Sequence, residues 1–142
     1  MIERVVFDTS TLIGALLKPG STPHRALMLA LDSCMICSCE QALRELTDVL
    51  SRSHFDRYAS PADRARFVAL IQEQFEILGV HEAEAASLEP SCRDAKDNFV
   101  LALALAAEAD VIVSSDHDLL ALNPWRGIPI LTPAQFVAQS PP

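Results

Sequence analysis

The sequence predicts an α/β protein, a single-domain three-layer α/β/α sandwich with a central parallel sheet. Three observations carry that prediction. Short β-branched runs alternate with helical patterns along the chain, as they do when crossover helices join parallel strands. Two of the runs, Val5 to Phe7 and Val111 to Val113, are apolar throughout, which suits central strands covered on both faces. The chain has 142 residues, half of them hydrophobic, the length of one ordinary domain with a sizeable core. The domain is expected to span residues 1–138, leaving a short tail at 139–142.

Each element has a local reason. Val5 to Phe7 is the first strand. Thr11 to Leu17 reads as a helix closed by Lys18-Pro19-Gly20. Thr22-Pro23 opens a second helix, running to about Leu31, with Pro23 suited to the first helical position. Met35 to Cys37 is the second strand. Ser38 with Gln41 three residues on has the capping-box pattern and starts the helix "EQALRELTDVL". Ser60-Pro61 caps a long amphipathic helix with Phe67, Leu70, Ile71 and Phe75 at helical spacing. Ile77 to Val80 is a weaker third strand. Asp94 starts the apolar helix "NFVLALALAAEA", and Val111 to Val113 is the fourth strand. Ile128 to Leu131 is a short fifth strand, and Thr132-Pro133 opens a last helix.

The N-terminus carries no apolar targeting segment. The longest apolar stretch, Phe99 to Ala107, is far below the ~18–20 residues of a spanning helix. A soluble, cytoplasmic protein is expected. Eleven basic and nineteen acidic residues give a net charge of −8. Taken alone, this argues against a nucleic-acid binder. Carboxylates gathered around divalent cations change the argument, because the loaded site attracts phosphate. There are four cysteines: Cys34, Cys37, Cys39 and Cys92. Cys34-x-x-Cys37 has no second pair to close a zinc site. Buried free thiols in a reducing compartment are the expectation.

The acids are the informative residues. Asp8 follows the first strand directly, and Asp116 follows the fourth after Ser114 and Ser115. In doubly wound sheets, ligands bind beyond the carboxyl ends of the strands where the strand order reverses. If the first and fourth strands are neighbours there, both carboxylates face one crevice. Each acid also has a structural reading. Asp8 could cap the following helix, as could Thr9 or Ser10. Glu45 could be a solvated residue beside the stripe Leu43, Leu46, Val49 and Leu50, although the start of its helix would lie near the crevice. Asp94 and Asp97 suit a helix N-terminus. Asp116 or Asp118 could cap a helical turn, and His117 reads as a solvent or substrate neighbour. Four acids, Asp8, Glu45, Asp97 and Asp116, would meet only at a cost. At ~5 Å and an effective dielectric near 20, each pair repels by about 3 kcal/mol. Such clusters usually hold divalent cations, here one or two Mg²⁺ or Mn²⁺ ions that activate water and neutralise a phosphodiester.

These residues resemble the PIN-domain family, specifically bacterial PIN proteins of toxin–antitoxin pairs. The resemblance runs from "VVFDTSTLIGALL" through "SCEQALRELTDVLSRSHF" and "CRDAKDNFVLALALAAEADVIVSSDHDLLAL" to "IPILTPAQF". It implies a compact α/β/α fold with a parallel sheet and a metal-dependent endoribonuclease. The family's four acids fall on Asp8, Glu45, Asp97 and Asp116, as catalytic residues and metal ligands, and Asp118 matches a frequent extra acid. Ser10 stands where the family often has Asn. The resemblance further implies Mg²⁺ or Mn²⁺ as cofactor, RNA as substrate, a small antitoxin as partner and a homodimer. Arg44, Arg52, His54, Arg57, Lys96 and His117 are plausible contacts to the RNA backbone. Two other classes compete. A phosphatase of the haloacid dehalogenase type needs a second acid two residues after the first, where Ser10 stands. A receiver-like binding module needs paired acids near the first strand, which carries Asp8 alone. A PIN fold serving only as a binding scaffold would not need all four acids.

Overall fold

The computed structural model describes residues 2–91 and 95–139. Five strands form one sheet: β1 (Arg4–Phe7), β2 (Met35–Cys39), β3 (Glu76–Leu78), β4 (Val111–Val113) and β5 (Ile130–Leu131). Their order is β3-β2-β1-β4-β5, and every pairing is parallel. From β1 the chain winds outward to β2 and β3, then returns to the other side of β1 for β4 and β5. The order therefore reverses between β1 and β4, where Val5 pairs with Val111 and Phe7 with Val113. The expected neighbour relation holds, and it puts the switch-point crevice beyond Phe7 and Val113.

Among the described residues, eight helices accompany the sheet: α1 (Thr9–Leu17), α2 (Thr22–Ser33), α3 (Glu40–Leu50), α4 (Pro61–Gln74), α5 (Glu82–Ala86), α6 (Ala95–Ala106), α7 (His117–Leu120) and α8 (Pro133–Gln139). The two-residue period of a strand divides the core in two. Val5, Phe7, Val111 and Val113 pack with Leu12, Leu27, Leu46, Ile71 and Phe136 on one side. Val6, Cys37, Cys39 and Ile112 pack with Leu101, Leu103, Leu119 and Trp125 on the other. Phe7 and Phe136 meet edge to face, with centroids 6.2 Å apart. Cys37 and Cys39 are free and buried, and burial pushes both thiols up from their ordinary values. Cys92 lies outside the described residues. No helix among the described residues is long and apolar enough to cross a membrane.

Several local expectations are corrected. β2 runs on through Ser38 to Cys39, because both pair with β3. Ser38 therefore does not cap α3; Cys39 holds that position without a side-chain bond. Gln41 instead donates from Nε2 to the Val80 carbonyl at 2.6 Å, and β3 ends at Leu78. β5 is shorter than expected, because Ile128 closes a turn onto Trp125, with Gly127 at φ 81°. The α5 helix and a 3-10 segment at Ser53–Arg57 are additions. The Asp94 start of α6 lies outside the described residues.

Two polar pins hold the frame away from the crevice. Asp110 Oδ2 accepts from the amides of Glu3 and Arg4 at 2.9 Å each, tying the start of β1 to β4. These two bonds hold its carboxyl below the usual range. Arg64 on α4 is almost wholly buried. It donates to the carbonyls of Leu50 and Arg52 at 2.5 and 2.9 Å and pairs with Asp56. The last carbonyl of α3, that of Leu50, thus gains a partner that a helix end otherwise lacks.

Candidate active site

Asp8 is the first residue past β1, and the turn into α1 determines its geometry. Its backbone is extended, and Oδ1 accepts from the Thr11 amide at 2.9 Å, so it is the N-cap of α1. Its amide donates to the Val113 carbonyl across the β1–β4 seam. Oδ2 accepts from the Ser114 hydroxyl at 2.5 Å. Asp8 is only 4% exposed. Burial raises its carboxyl above the ordinary range, the bonds from Ser114 and Thr11 oppose that, and nearby Asp116 adds to it. The capping and site readings are thus the same geometry: one oxygen serves the helix, and the carboxyl as a whole faces the crevice.

Ser114 links the two strand ends. Its Oγ donates to Asp8 and accepts from the Asp116 amide at 2.9 Å. Asp116 is the N-cap of α7, and its Oδ1 accepts from the Asp118 amide at 2.8 Å. Two serines after the apolar strand therefore do distinct work: fully buried Ser114 ties the acids together, while Ser115 is exposed. The Ser114 role is not directly readable in the sequence; a hydroxyl immediately after a central strand is the available signal.

Glu45 comes from α3, whose parent strand β2 flanks β1. The Thr9 hydroxyl donates to its Oε2 at 3.5 Å, across the α1–α3 gap. Asp97 sits in the first turn of α6, and Val100 follows one turn on. Asp8, Glu45, Asp97 and Asp116 line one cleft of about 240 Å³ together with Thr9, Ser10 and Val100. None of the described lining residues is basic. Asp118, on the first turn of α7, is not part of this lining, and His117 is exposed. Asp94 lies outside the described residues.

The donor chemistry suits a hard divalent cation, since every charged group among the described lining residues is a carboxylate. The cage is not closed, however: among the described residues, no three His, Cys, Asp or Glu side chains are arranged to hold one ion as they stand. Four carboxylates therefore share a cleft without converging on a single point.

A second cavity of about 220 Å³ adjoins this cleft and shares Thr9, Glu45 and Val100 with it. It lies between α3 and α6 over Phe7 and Cys39. Gln41 lines it, and its Oε1 is buried without a hydrogen-bond partner. An orphaned acceptor of this kind costs about 1–3 kcal/mol. The Thr11 hydroxyl is also buried without a partner.

The doubly wound parallel sheet, with acids from four segments at its switch point, belongs to the α/β class that builds its sites at the carboxyl edge. Within that class the assignment is specific: the PIN domain matches residues 4–118, and the chain belongs to the PIN domain family. All four cleft acids fall inside the matched span. The fold is similar to that of PAE2754 from Pyrobaculum aerophilum, with a TM-score of 0.64 and 16% identity, covering 98% of this chain and 100% of that one. It is also similar to VapC20 of Mycobacterium tuberculosis, a sarcin-ricin loop cleaving toxin, with a TM-score of 0.58 and 16% identity. That match covers 82% of this chain and 93% of VapC20. No curated protein matches the chain. Family membership sets aside the dehalogenase-type phosphatase and the receiver-like module.

Proposed function

We propose that this protein is a metal-dependent endoribonuclease that hydrolyses phosphodiester bonds of single-stranded or structured RNA. The observation that carries this reading is the single cleft lined by Asp8, Glu45, Asp97 and Asp116. Those four residues would hold Mg²⁺ or Mn²⁺, with Asp118 as a candidate auxiliary ligand. When bound, the metal supplies an activated water and positive charge for the phosphodiester. The chain's own contribution is positioning. Ser114 and the Thr11 amide fix the Asp8 carboxyl, and Ser114 with the Asp118 amide orients Asp116. Buried Asp8 sits in a low-dielectric wall, where its attraction for a cation is strongest.

We further propose that the protein acts in the cytoplasm as the toxin of a toxin–antitoxin pair, as a homodimer held in check by a small antitoxin. The family assignment and the fold shared with VapC20, itself a toxin, support this. The nuclease domain is taken as residues 1–138 and the tail as 139–142.

The test is cleavage of labelled single-stranded RNA in Mn²⁺, with and without EDTA. Wild type should cut and EDTA should stop it. Asp97→Asn and Asp116→Asn should each lose at least a hundredfold in rate with unchanged far-UV circular dichroism. Full activity of either variant would remove that residue from the site. A folded wild type that cuts no RNA would favour a non-catalytic binding role for the same fold.

A further inference from the structure

Glu89 and Pro90 lie between α5 and α6, and the carbonyls of both are held by consecutive side chains of the turn before β5. Trp125 donates from Nε1 to the Pro90 carbonyl at 2.7 Å. Arg126 donates from Nε and Nη2 to the Glu89 carbonyl at 2.9 and 2.5 Å, and its guanidinium stacks over the Trp125 ring at 4.8 Å. Among the described residues, no backbone amide donates to either carbonyl. The turn that presents these side chains is itself braced. Trp125 and Ile128 exchange two backbone bonds, and Asn123 Oδ1 accepts from the Ile130 amide at 2.7 Å. Trp125 is buried in one cluster with Leu119 of α7 and Ile130 of β5. The central residues of the turn are Arg126 at φ 49° and Gly127 at φ 81°. Asn, Asp or Gly usually fills the first of these places, because a positive φ strains other side chains. An arginine held in that conformation is kept for what its side chain does.

We propose that Trp125 and Arg126 are positioning residues for Asp97: by clasping Glu89 and Pro90 they tie the approach to α6 to the segment that follows Asp116, and so set the spacing of those two acids. The inference rests on the metal-dependent nuclease reading and adds two residues outside the cleft to it. The α6 helix is fixed unevenly. Leu101, Leu103 and Ala104 are buried in the core, whereas Asp97, Asn98, Phe99 and Val100 at its start are half-buried. Helix ends fray, and the first turn has the fewest internal bonds. Its place therefore depends on the chain that leads into it. Leu88, next to the clasped Glu89, packs in one buried cluster with Trp125, Leu101 and Ala102, so the clasp and the helix share a wall. On the other side, Asp116 caps α7, which leads into the turn. Neither Trp125 nor Arg126 lines the cleft; they act on a bound metal through Asp97.

Arg126→Gly removes the guanidinium and suits the positive φ, so the turn itself should form as before. Trp125→Phe keeps an aromatic ring and loses the Nε1 donor. Mn²⁺ binding, measured by electron paramagnetic resonance without RNA, should weaken about tenfold in Arg126→Gly, as when a group that orients a metal ligand is lost. Trp125→Phe should shift it the same way, and Arg126→Lys, which keeps a donor, should recover part of the affinity. Hydrogen exchange in EDTA gives a metal-free readout. The Phe99 and Val100 amides should exchange faster in Arg126→Gly, with those of Leu103 and Ala104 unchanged. Wild-type Mn²⁺ affinity in Arg126→Gly, exchange at Phe99 and Val100 no faster than in wild type, or a loss of protection spread evenly over the protein would each overturn the assignment. If wild type binds no Mn²⁺, the metal reading fails and the exchange alone decides the clasp: faster exchange confined to the start of α6 would uphold it, and no change there would overturn it.

Discussion

Replacing Asp8 in two ways separates its structural role from its charge. Asp8→Ala removes the acceptor for the Thr11 amide and the acceptor for the buried Ser114 hydroxyl. Loss of the N-cap costs about 1 kcal/mol, and the stranded hydroxyl costs about 1–2 kcal/mol more. Relief of a buried charge beside Asp116 offsets part of this, leaving a net loss of about 2 kcal/mol. Asp8→Asn keeps an oxygen for the Thr11 amide, and the Ser114 hydroxyl can turn to accept from the new NH₂ group. It also deletes the charge whose burial raises the Asp8 carboxyl. Asp8→Asn should therefore match wild type in metal-free buffer or exceed it by up to about 1 kcal/mol. The two variants should melt about 6–9 °C apart, at roughly 3 °C per kcal/mol for a chain of this size. Thermal melts followed by circular dichroism at pH 7 in EDTA measure this. If Asp8→Asn melts as low as Asp8→Ala, the charge is not a metal-free burden and the argument from burial is wrong.

Other outcomes follow from the two pins and from the site. Asp110 has its carboxyl held below the usual range by the Glu3 and Arg4 amides, so its contribution is present above the unfolded pKa and fades as pH falls through the folded one. Because the residue is exposed, Asp110→Ala should cost only about 1 kcal/mol at pH 7, and less as the pH falls below the unfolded value, in urea titrations at a series of pH values. Arg64→Met strands the Leu50 carbonyl, while the Arg52 carbonyl keeps the Phe55 amide, and should lower the urea-derived stability by about 2 kcal/mol. In cells, expression of the chain should slow bacterial growth and Asp116→Ala should relieve it; growth unaffected by soluble wild type would argue against the toxin role.

The central architecture was legible because the two apolar strands and their trailing acids obey strong rules. A strand buried on both faces needs apolar residues at every position, so Val5–Phe7 and Val111–Val113 stood out, and their adjacency placed Asp8 and Asp116 together. Glu45 and Asp97 were harder to read: topology put the starts of their helices near the crevice, but helical acids look alike whether they face a cleft or solvent, and the family resemblance singled them out. Short edge elements were less readable. Ser38 and Gln41 have capping-box spacing, yet pairing with β3 carried β2 past Ser38 and the Gln41 amide went to Val80. The Ile128 end of β5 was lost to a turn at Gly127 that no strand pattern encodes. The acids capping α1 and α7 were readable as caps or as site residues, and the fold uses them as caps without removing them from the crevice.

The claim that four carboxylates form one cation site is tested most directly by melting curves against Mn²⁺ concentration, for wild type and for Asp8→Asn, Glu45→Gln, Asp97→Asn and Asp116→Asn. A cation that binds only the folded cluster stabilises it by about 2.7 kcal/mol at a hundred times its Kd. Wild type should therefore gain several degrees as Mn²⁺ rises to millimolar levels, and each variant should lose most of that gain. A wild type indifferent to Mn²⁺, or any one variant that gains as much as wild type, would contradict a shared metal site at the carboxyl ends of β1 and β4.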